Sequence, residues 1–215
     1  RNYFLLAGFE GGKYIYTKTF HVPEEYSRKT LILEFEAVYC MSKVYVNGEL
    51  ACEKPYGFTP FQITLNPWLE FGGDNEIRVE ADVPKEGHGR WYTGGGIYRP
   101  VNLYIGEENY IALYGVKVTT LGIRPARIRV DVTVCGAGEV SVDIRKDGKT
   151  VVSGQGEAES SEKEAESCRK DAQSREIQPK NAKNETENRK VSLELTVPDA
   201  ALWSAETPEL YQAAV

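Results

Sequence analysis

The sequence predicts an all-β protein: a β-sandwich of the jelly-roll kind followed by an immunoglobulin-like β-sandwich. Three observations carry this reading. Apolar and polar residues alternate in short runs, and no segment keeps a long 3.6-residue period. Gly, Pro and Asn separate the runs. Aromatic residues are unevenly spread: of the 3 Trp, 13 Tyr and 7 Phe, all but Trp203 and Tyr211 lie at or before Tyr114. Aromatic-rich strands followed by strands rich in Val, Ile and Thr imply two cores of different make-up. The boundary is expected near residues 107–110, giving domains 1–108 and 109–215.

In the first domain, residues 14–20 and 30–38 read as strands. Residues 43–46 and 49–51 form a hairpin around Asn47-Gly48, a dipeptide suited to the two positive-φ positions of a type I′ turn. Residues 62–65, 75–81 and 101–105 complete the set. Many short strands with such turns suit a jelly roll. In the second domain, 112–120, 126–134, 139–145, 150–153 and 189–197 alternate in the same way, with Asp147-Gly148 as a turn. About five strands there suit an immunoglobulin-like sandwich. Residues 156–190 interrupt it with 17 charged residues among 35, no aromatic and one large aliphatic, Ile177. Such a stretch buries too little apolar surface to order itself, and a solvated surface insertion is expected.

Composition narrows the function classes. With 41% hydrophobic and 27% charged residues, most of the 215-residue chain can bury a core. A net charge of −6 argues against nucleic acid, because phosphate binding needs a basic patch. No run of about 18 apolar residues exists to span a membrane. Cys40, Cys52, Cys135 and Cys168 form no CxxC pair, which argues against zinc ribbons and redox motifs. Reduced thiols in a cytoplasmic protein are the simpler expectation. No metal-ligand cluster, cofactor motif or Ser/His/Asp set is found. Gly94-Gly95-Gly96 leads into a strand rather than a helix N-terminus, so it does not read as a dinucleotide site.

The most informative stretch is Arg90-Trp91-Tyr92-Thr93-Gly94-Gly95-Gly96-Ile97-Tyr98-Arg99-Pro100. Flat aromatic faces beside a guanidinium fork suit the C–H faces and hydroxyls of a sugar. A tightly packed structural loop is the competing reading. His88 lies two residues before Arg90, as a sugar contact or an exposed loop position, and His21 ends a strand in a surface or capping role. Glu34, Glu36 and Glu80 alternate within strands and are expected to face solvent or form salt bridges.

The same stretch resembles the Arg-Trp-Tyr-Pro-Gly-x-Gly-Ile-Tyr-Arg signature that closes the sugar-binding domain of glycoside hydrolase family 2. Val44-Tyr45-Val46-Asn47-Gly48 resembles that family's Val-Trp-Val-Asn-Gly hairpin. Tyr56-Gly57-Phe58-Thr59-Pro60-Phe61 resembles its Gly-Tyr-Thr-Pro-Phe segment. Leu202-Trp203-Ser204-Ala205-Glu206-Thr207-Pro208-Glu209-Leu210-Tyr211 resembles the Leu-Trp-Ser-Pro-Glu-x-Pro-x-Leu-Tyr element of its immunoglobulin-like domain. The four occur in the family's order across nearly the whole chain. Thr93 and Ala205 stand where the family has Pro, and Gly95 makes a third consecutive glycine.

The resemblance implies a galactose-binding-like jelly roll and an immunoglobulin-like domain, the non-catalytic N-terminal part of a retaining β-galactosidase. Its partners would be a β-linked carbohydrate and its own catalytic barrel, with no cofactor and no metal. The family's two catalytic glutamates sit on that barrel, so no catalytic residue is expected in this chain. The jelly roll's first strand and the second sandwich's last strand are expected to lie outside it. Arg90 matches the family position that reaches toward the substrate, with Trp91 and Tyr92 shaping the wall. Arg99 is expected to anchor the loop in a buried ion pair. The alternative is a free-standing carbohydrate-binding module or an adhesion-type pair of sandwiches, since fold alone does not fix function.

Overall fold

The computed structural model describes residues 11–84, 94–158, 175–176 and 188–215. It is all-β, and it divides between Glu107 and Glu108 into two compact units, the first of which takes in the distant pair Arg175–Glu176.

The first unit holds β1 (Gly12–Val22), β2 (Thr30–Phe35), β3 (Val38–Tyr39), β4 (Ser42–Val46), β5 (Glu49–Lys54), β6 (Phe61–Thr64), β7 (Gly73–Val83), β8 (Gly96–Ile97) and β9 (Val101–Gly106). β1, β7, β4 and β5 lie side by side in one sheet, β6, β2 and β9 in a second, and β3 pairs with β8. Alternation sets which side of each strand is buried. Val44 and Val46 point inward while Lys43 points out, and Val79 and Ala81 join them from β7. Leu31, Leu33, Phe35, Phe61 and Ile63 come from the second sheet, so one core forms between the two. Phe35 and Phe61 stack at its centre, centroids 5.0 Å apart. The Asn47-Gly48 turn has φ of 48° and 84°, as a type I′ hairpin requires. The Asn47 amide also donates to the Trp68 carbonyl (2.8 Å) and to Asn75 Oδ1 (2.7 Å), tying the turn to β7.

The second unit holds β10 (Tyr110–Ile123), β11 (Ala126–Cys135), β12 (Glu139–Lys146), β13 (Lys149–Glu157), β15 (Asn188–Thr196) and β16 (Gln212–Ala214); β14 (Arg175–Glu176), between β13 and β15 in the chain, belongs to the first. β10, β11 and β15 form one sheet; β13, β12 and β16 form the other. Their facing residues make a core of small branched side chains, among them Val130, Val132, Val142, Ile144 and Val191. The Asp147-Gly148 turn repeats the hairpin geometry, with φ of 49° and 76°.

Two sequence expectations need correction. The strand expected at 150–153 runs from Lys149 to Glu157. Its last half, Ser153-Gly154-Gln155-Gly156, carries no apolar signal because its role is to leave room. A Cβ on Gly154 would lie 2.8 Å from a Leu195 methyl, and one on Gly156 3.0 Å from a Val191 methyl. The charged insertion is not wholly a solvated loop either. β14 pairs antiparallel with β5, Arg175 opposite Glu53 and Glu176 opposite Cys52. Low apolar content keeps a segment out of a core, but an edge strand still offers unpaired N–H and C=O groups to any extended segment.

Candidate functional site

Arg90, Trp91 and Tyr92, the residues expected to meet the sugar, lie outside the described residues, as does His88. The described residues show how both ends of their segment are held. β7 delivers the chain to Pro84, and Gly94 resumes it. From there β8 pairs with β3, Ile97 opposite Val38 and Gly96 opposite Tyr39. The Ile97 amide donates to the Tyr16 hydroxyl (3.4 Å), and the Tyr98 hydroxyl donates to the Gly57 carbonyl (2.9 Å).

Two motifs some 40 residues apart in sequence thus meet at one place. Glycine makes the approach possible. A Cβ on Gly57 would lie 2.7 Å from the Tyr39 ring, and one on Gly96, where φ is +67°, would lie 2.0 Å from the Tyr16 hydroxyl. Against Gly57 gathers an aromatic group. Tyr39 and Phe58 have ring centroids 5.2 Å apart, and Tyr56 meets Phe58 edge-on at 5.5 Å.

The Asn47-Gly48 hairpin is elsewhere. Val46 pairs with Ile77 near the start of β7, while the 85–93 segment follows the end of β7. That motif therefore lies toward the start of β7, away from Val83, where that strand ends. In the second unit, the Leu202–Tyr211 motif folds into a tight turn of its own. The Ser204 amide donates to the Thr207 carbonyl (3.0 Å), and the Thr207 amide donates to Ser204 Oγ (3.0 Å). The Ala201 amide donates to the Tyr211 hydroxyl (2.9 Å), and Lys146 pairs with Glu209 at 2.8 Å. Trp203 and Leu210 are left exposed on this turn.

Arg99 departs from expectation. Its side chain is exposed, its guanidinium lies 5.7 Å from the Tyr98 ring centroid, and it has no carboxylate partner among the described residues. Family resemblance placed an anchor there, but hydrogen bonds of Tyr98 and Ile97 hold this loop instead. Glu80 is salt-bridged as expected, to Lys13 (2.7 Å) and Arg78 (3.0 Å), and its hydrogen bond with Lys13 is the main cause holding its pKa below the usual carboxylate value.

Glu34 does not face solvent. It is fully buried, accepting from the Tyr104 hydroxyl (3.1 Å), Gln62 (3.3 Å) and Asn102 (3.5 Å). Glu36 accepts from the same Asn102 amide at 3.4 Å. These two carboxylates are therefore neighbours, yet Glu34 is sealed from any substrate that it would have to protonate or attack.

His21 pairs with Asp74 at the surface (3.1 Å). Cys40, Cys52 and Cys135 are buried. Burial raises the Cys40 pKa, with the Asp82 charge adding to it. Among the described residues no three His, Cys, Asp or Glu side chains converge as metal ligands, and no helix is long and apolar enough to cross a membrane.

Two family models match the chain. One described as the galactose-binding domain-like part of glycosyl hydrolase 2 covers residues 2–93, and one described as glycosyl hydrolases family 2 covers residues 116–215. A β-galactosidase of Bacteroides ovatus is 30% identical over 206 residues, 94% of this chain and 22% of that protein. A putative β-glucuronidase of Formosa agariphila is 29% identical over 209 residues, 95% of this chain and 18% of that protein. The crystal structure of a putative β-galactosidase from Bacteroides fragilis superposes with a TM-score of 0.72 at 26% identity, over 95% of this chain and 30% of that one. The chain thus spans about a fifth of the length of these curated relatives.

Proposed function

The chain belongs to glycosyl hydrolases family 2, and on that premise we propose that it is the non-catalytic N-terminal part of a retaining β-galactosidase. In this reading residues 1–108 are the jelly-roll sugar-binding domain and 109–215 the immunoglobulin-like domain. Both pack on a catalytic barrel outside these 215 residues, and the 85–93 segment lends Arg90, Trp91 and Tyr92 to the rim of the sugar pocket. The supporting observation is the clamp behind that segment. Tyr98, Gly57, Ile97 and Tyr16 fix by hydrogen bonds the chain that follows it. A loop that presents sugar-binding groups needs such a rigid base.

The chemistry follows from the parts. A retaining glycosidase uses two carboxylates about 5–5.5 Å apart, one nucleophile and one acid/base. Of the strand glutamates, Glu80 is held in ion pairs with Lys13 and Arg78, and Glu34 is sealed away. The chain's share is therefore positioning: a guanidinium donating to sugar hydroxyls and two rings against the sugar's C–H face. Exposed Trp203 and Leu210 on the rigid turn of the second unit, and exposed Leu103 and Ile105 on β9, are apolar surface suited to a barrel.

The test is Arg90→Ala in the barrel-containing enzyme, assayed on an aryl β-galactoside. A charge-assisted hydrogen bond is worth about 1.5–3 kcal/mol, so kcat/KM should fall by roughly ten- to a hundredfold while the thermal midpoint stays put. Turnover by the pure 215-residue chain, abolished by a point mutation within it, would overturn the reading. So would an Arg90→Ala enzyme with unchanged kcat/KM.

A further inference from the structure

The aromatic group at Gly57 is built to a higher standard than a stray exposed patch. Phe58 is 45% exposed and Tyr56 43%, yet each ring is packed against another rather than loose in solvent. The backbone beneath them is fixed from three directions. The Met41 amide donates to the Pro55 carbonyl (3.1 Å), the Tyr98 hydroxyl donates to the Gly57 carbonyl (2.9 Å), and Gly57 sits directly against the Tyr39 ring.

The loop from Pro55 to Phe61 contains no charged residue. Next to it Arg99, over the Tyr98 ring, keeps its donor fork without a carboxylate partner among the described residues. Flat apolar faces, no local anionic or cationic loop residue and one adjacent donor fork match a neutral polyhydroxylated ring. Such a ligand offers a C–H face for stacking and hydroxyls for the guanidinium. Rings already held in place lose little freedom when a ligand arrives.

We propose that Tyr39, Tyr56 and Phe58 form a carbohydrate-binding shelf, stacking on a neutral pyranose unit of an oligosaccharide while Arg99 donates to its hydroxyls. The shelf rests on the reading of the chain as part of a glycoside hydrolase. It deepens that reading, because it makes the natural substrate an oligosaccharide and adds a contact separate from Arg90, Trp91 and Tyr92.

The experiment is a titration of the 215-residue chain with β-1,4-linked galactotetraose and, separately, with galactose, followed by protein-observed NMR. The tetrasaccharide should bind saturably in the millimolar range, with shifts at Phe58 and Gly57. Phe58→Ala should weaken it about tenfold, and Tyr56→Ala and Arg99→Ala less. Tyr56→Ala keeps the test open if the Phe58 variant folds poorly by circular dichroism. No saturable binding by the wild-type chain overturns the shelf, as does binding that survives all three substitutions. If instead the wild-type chain binds no sugar and Phe58→Ala lowers the thermal midpoint of the barrel-containing enzyme, the rings are a protein interface and the shelf is wrong. None of these failures touches the Arg90→Ala result, so the two readings stand or fall separately.

Discussion

The two sandwiches meet one packing problem with different side chains. In the first, large rings and long aliphatics interleave with small residues: Phe35, Phe61, Trp68, Leu31 and Leu65 against Ala51, Ala81 and Val44. In the second, seven of the nine buried core residues among those described are valine, joined by Ile144 and Leu195. A core of mixed sizes is a jigsaw in which each large piece has one place, whereas a valine core spreads the same burial over many equal contributions. The first therefore concentrates its stability in a few residues, and polar side chains such as Asn47, Asn66 and Asn75 fix its turns around them.

The largest effect should come from removing one of those pieces. Phe35 is 1% exposed and stacked on Phe61, so Phe35→Ala leaves a ring-sized hole and should destabilise the first unit by about 3–5 kcal/mol. Chemical denaturation of the two variants would compare it with Val132→Ala, the corresponding centre of the second core, which is fully buried. There the loss is two methyl groups and a small cavity, about 2 kcal/mol. Equal losses at the two sites would remove the distinction between the cores.

The insertion sharpens the comparison from outside the core. Deleting residues 159–185 removes β14 and leaves the β5 edge bare beside Cys52 and Glu53. With so few backbone hydrogen bonds lost, the cost should be about 1–2 kcal/mol, and it should fall on the first unit although the deleted segment interrupts the second. Hydrogen exchange locates it: whichever of the Cys52 and Glu53 amides points toward β14 should exchange faster, while those of β13 and β15 do not change. Faster exchange in β13 and β15 would mean that the segment supports the second sandwich instead.

Much of this was readable in the residues, for stated reasons. Alternation named the strands, and Asn47-Gly48 and Asp147-Gly148 named two hairpins, because each signal is local and has one cheap backbone solution. The contrast between the cores showed in the aromatic distribution. The meeting of Tyr98 with Gly57 was not readable, because it is a long-range contact whose only trace is a pair of glycines with no obvious turn to make. Glu34 was misread because alternation assigns a strand face but not what covers it; Tyr104, Gln62 and Asn102 cover it from neighbouring strands. Arg99 was misread because family analogy supplied a buried ion pair, whereas the side chain is exposed and has no carboxylate partner among the described residues. The half of β13 beyond Ser153 was missed because glycines opposite Leu195 and Val191 carry packing information only once the facing sheet is known.

The smallest expected effect concerns acid, and both units share its sign. In the second, Asp131 accepts from Ser192 Oγ (2.7 Å) and from Arg129 Nε (3.1 Å). The Ser192 hydrogen bond first, and the Arg129 contact after it, hold its pKa below the usual aspartate value. A carboxyl with a lowered folded pKa stabilises the fold above its unfolded value, near 3.9, and loses that contribution as pH falls through the folded value. In the first unit Glu80, lowered chiefly by its hydrogen bond with Lys13, follows the same rule. Asp131 is partly exposed, so its ionisation is worth no more than about 1 kcal/mol, below the core effects above. Thermal midpoints of wild type and Asp131→Asn, measured from about pH 6 to about pH 3, separate ionisation from shape. The wild type should be the more stable at the upper end, and the gap should close as Asp131 takes up its proton. A gap that stays constant through that window would assign the difference to the altered hydrogen-bonding shape of the side chain rather than to its charge.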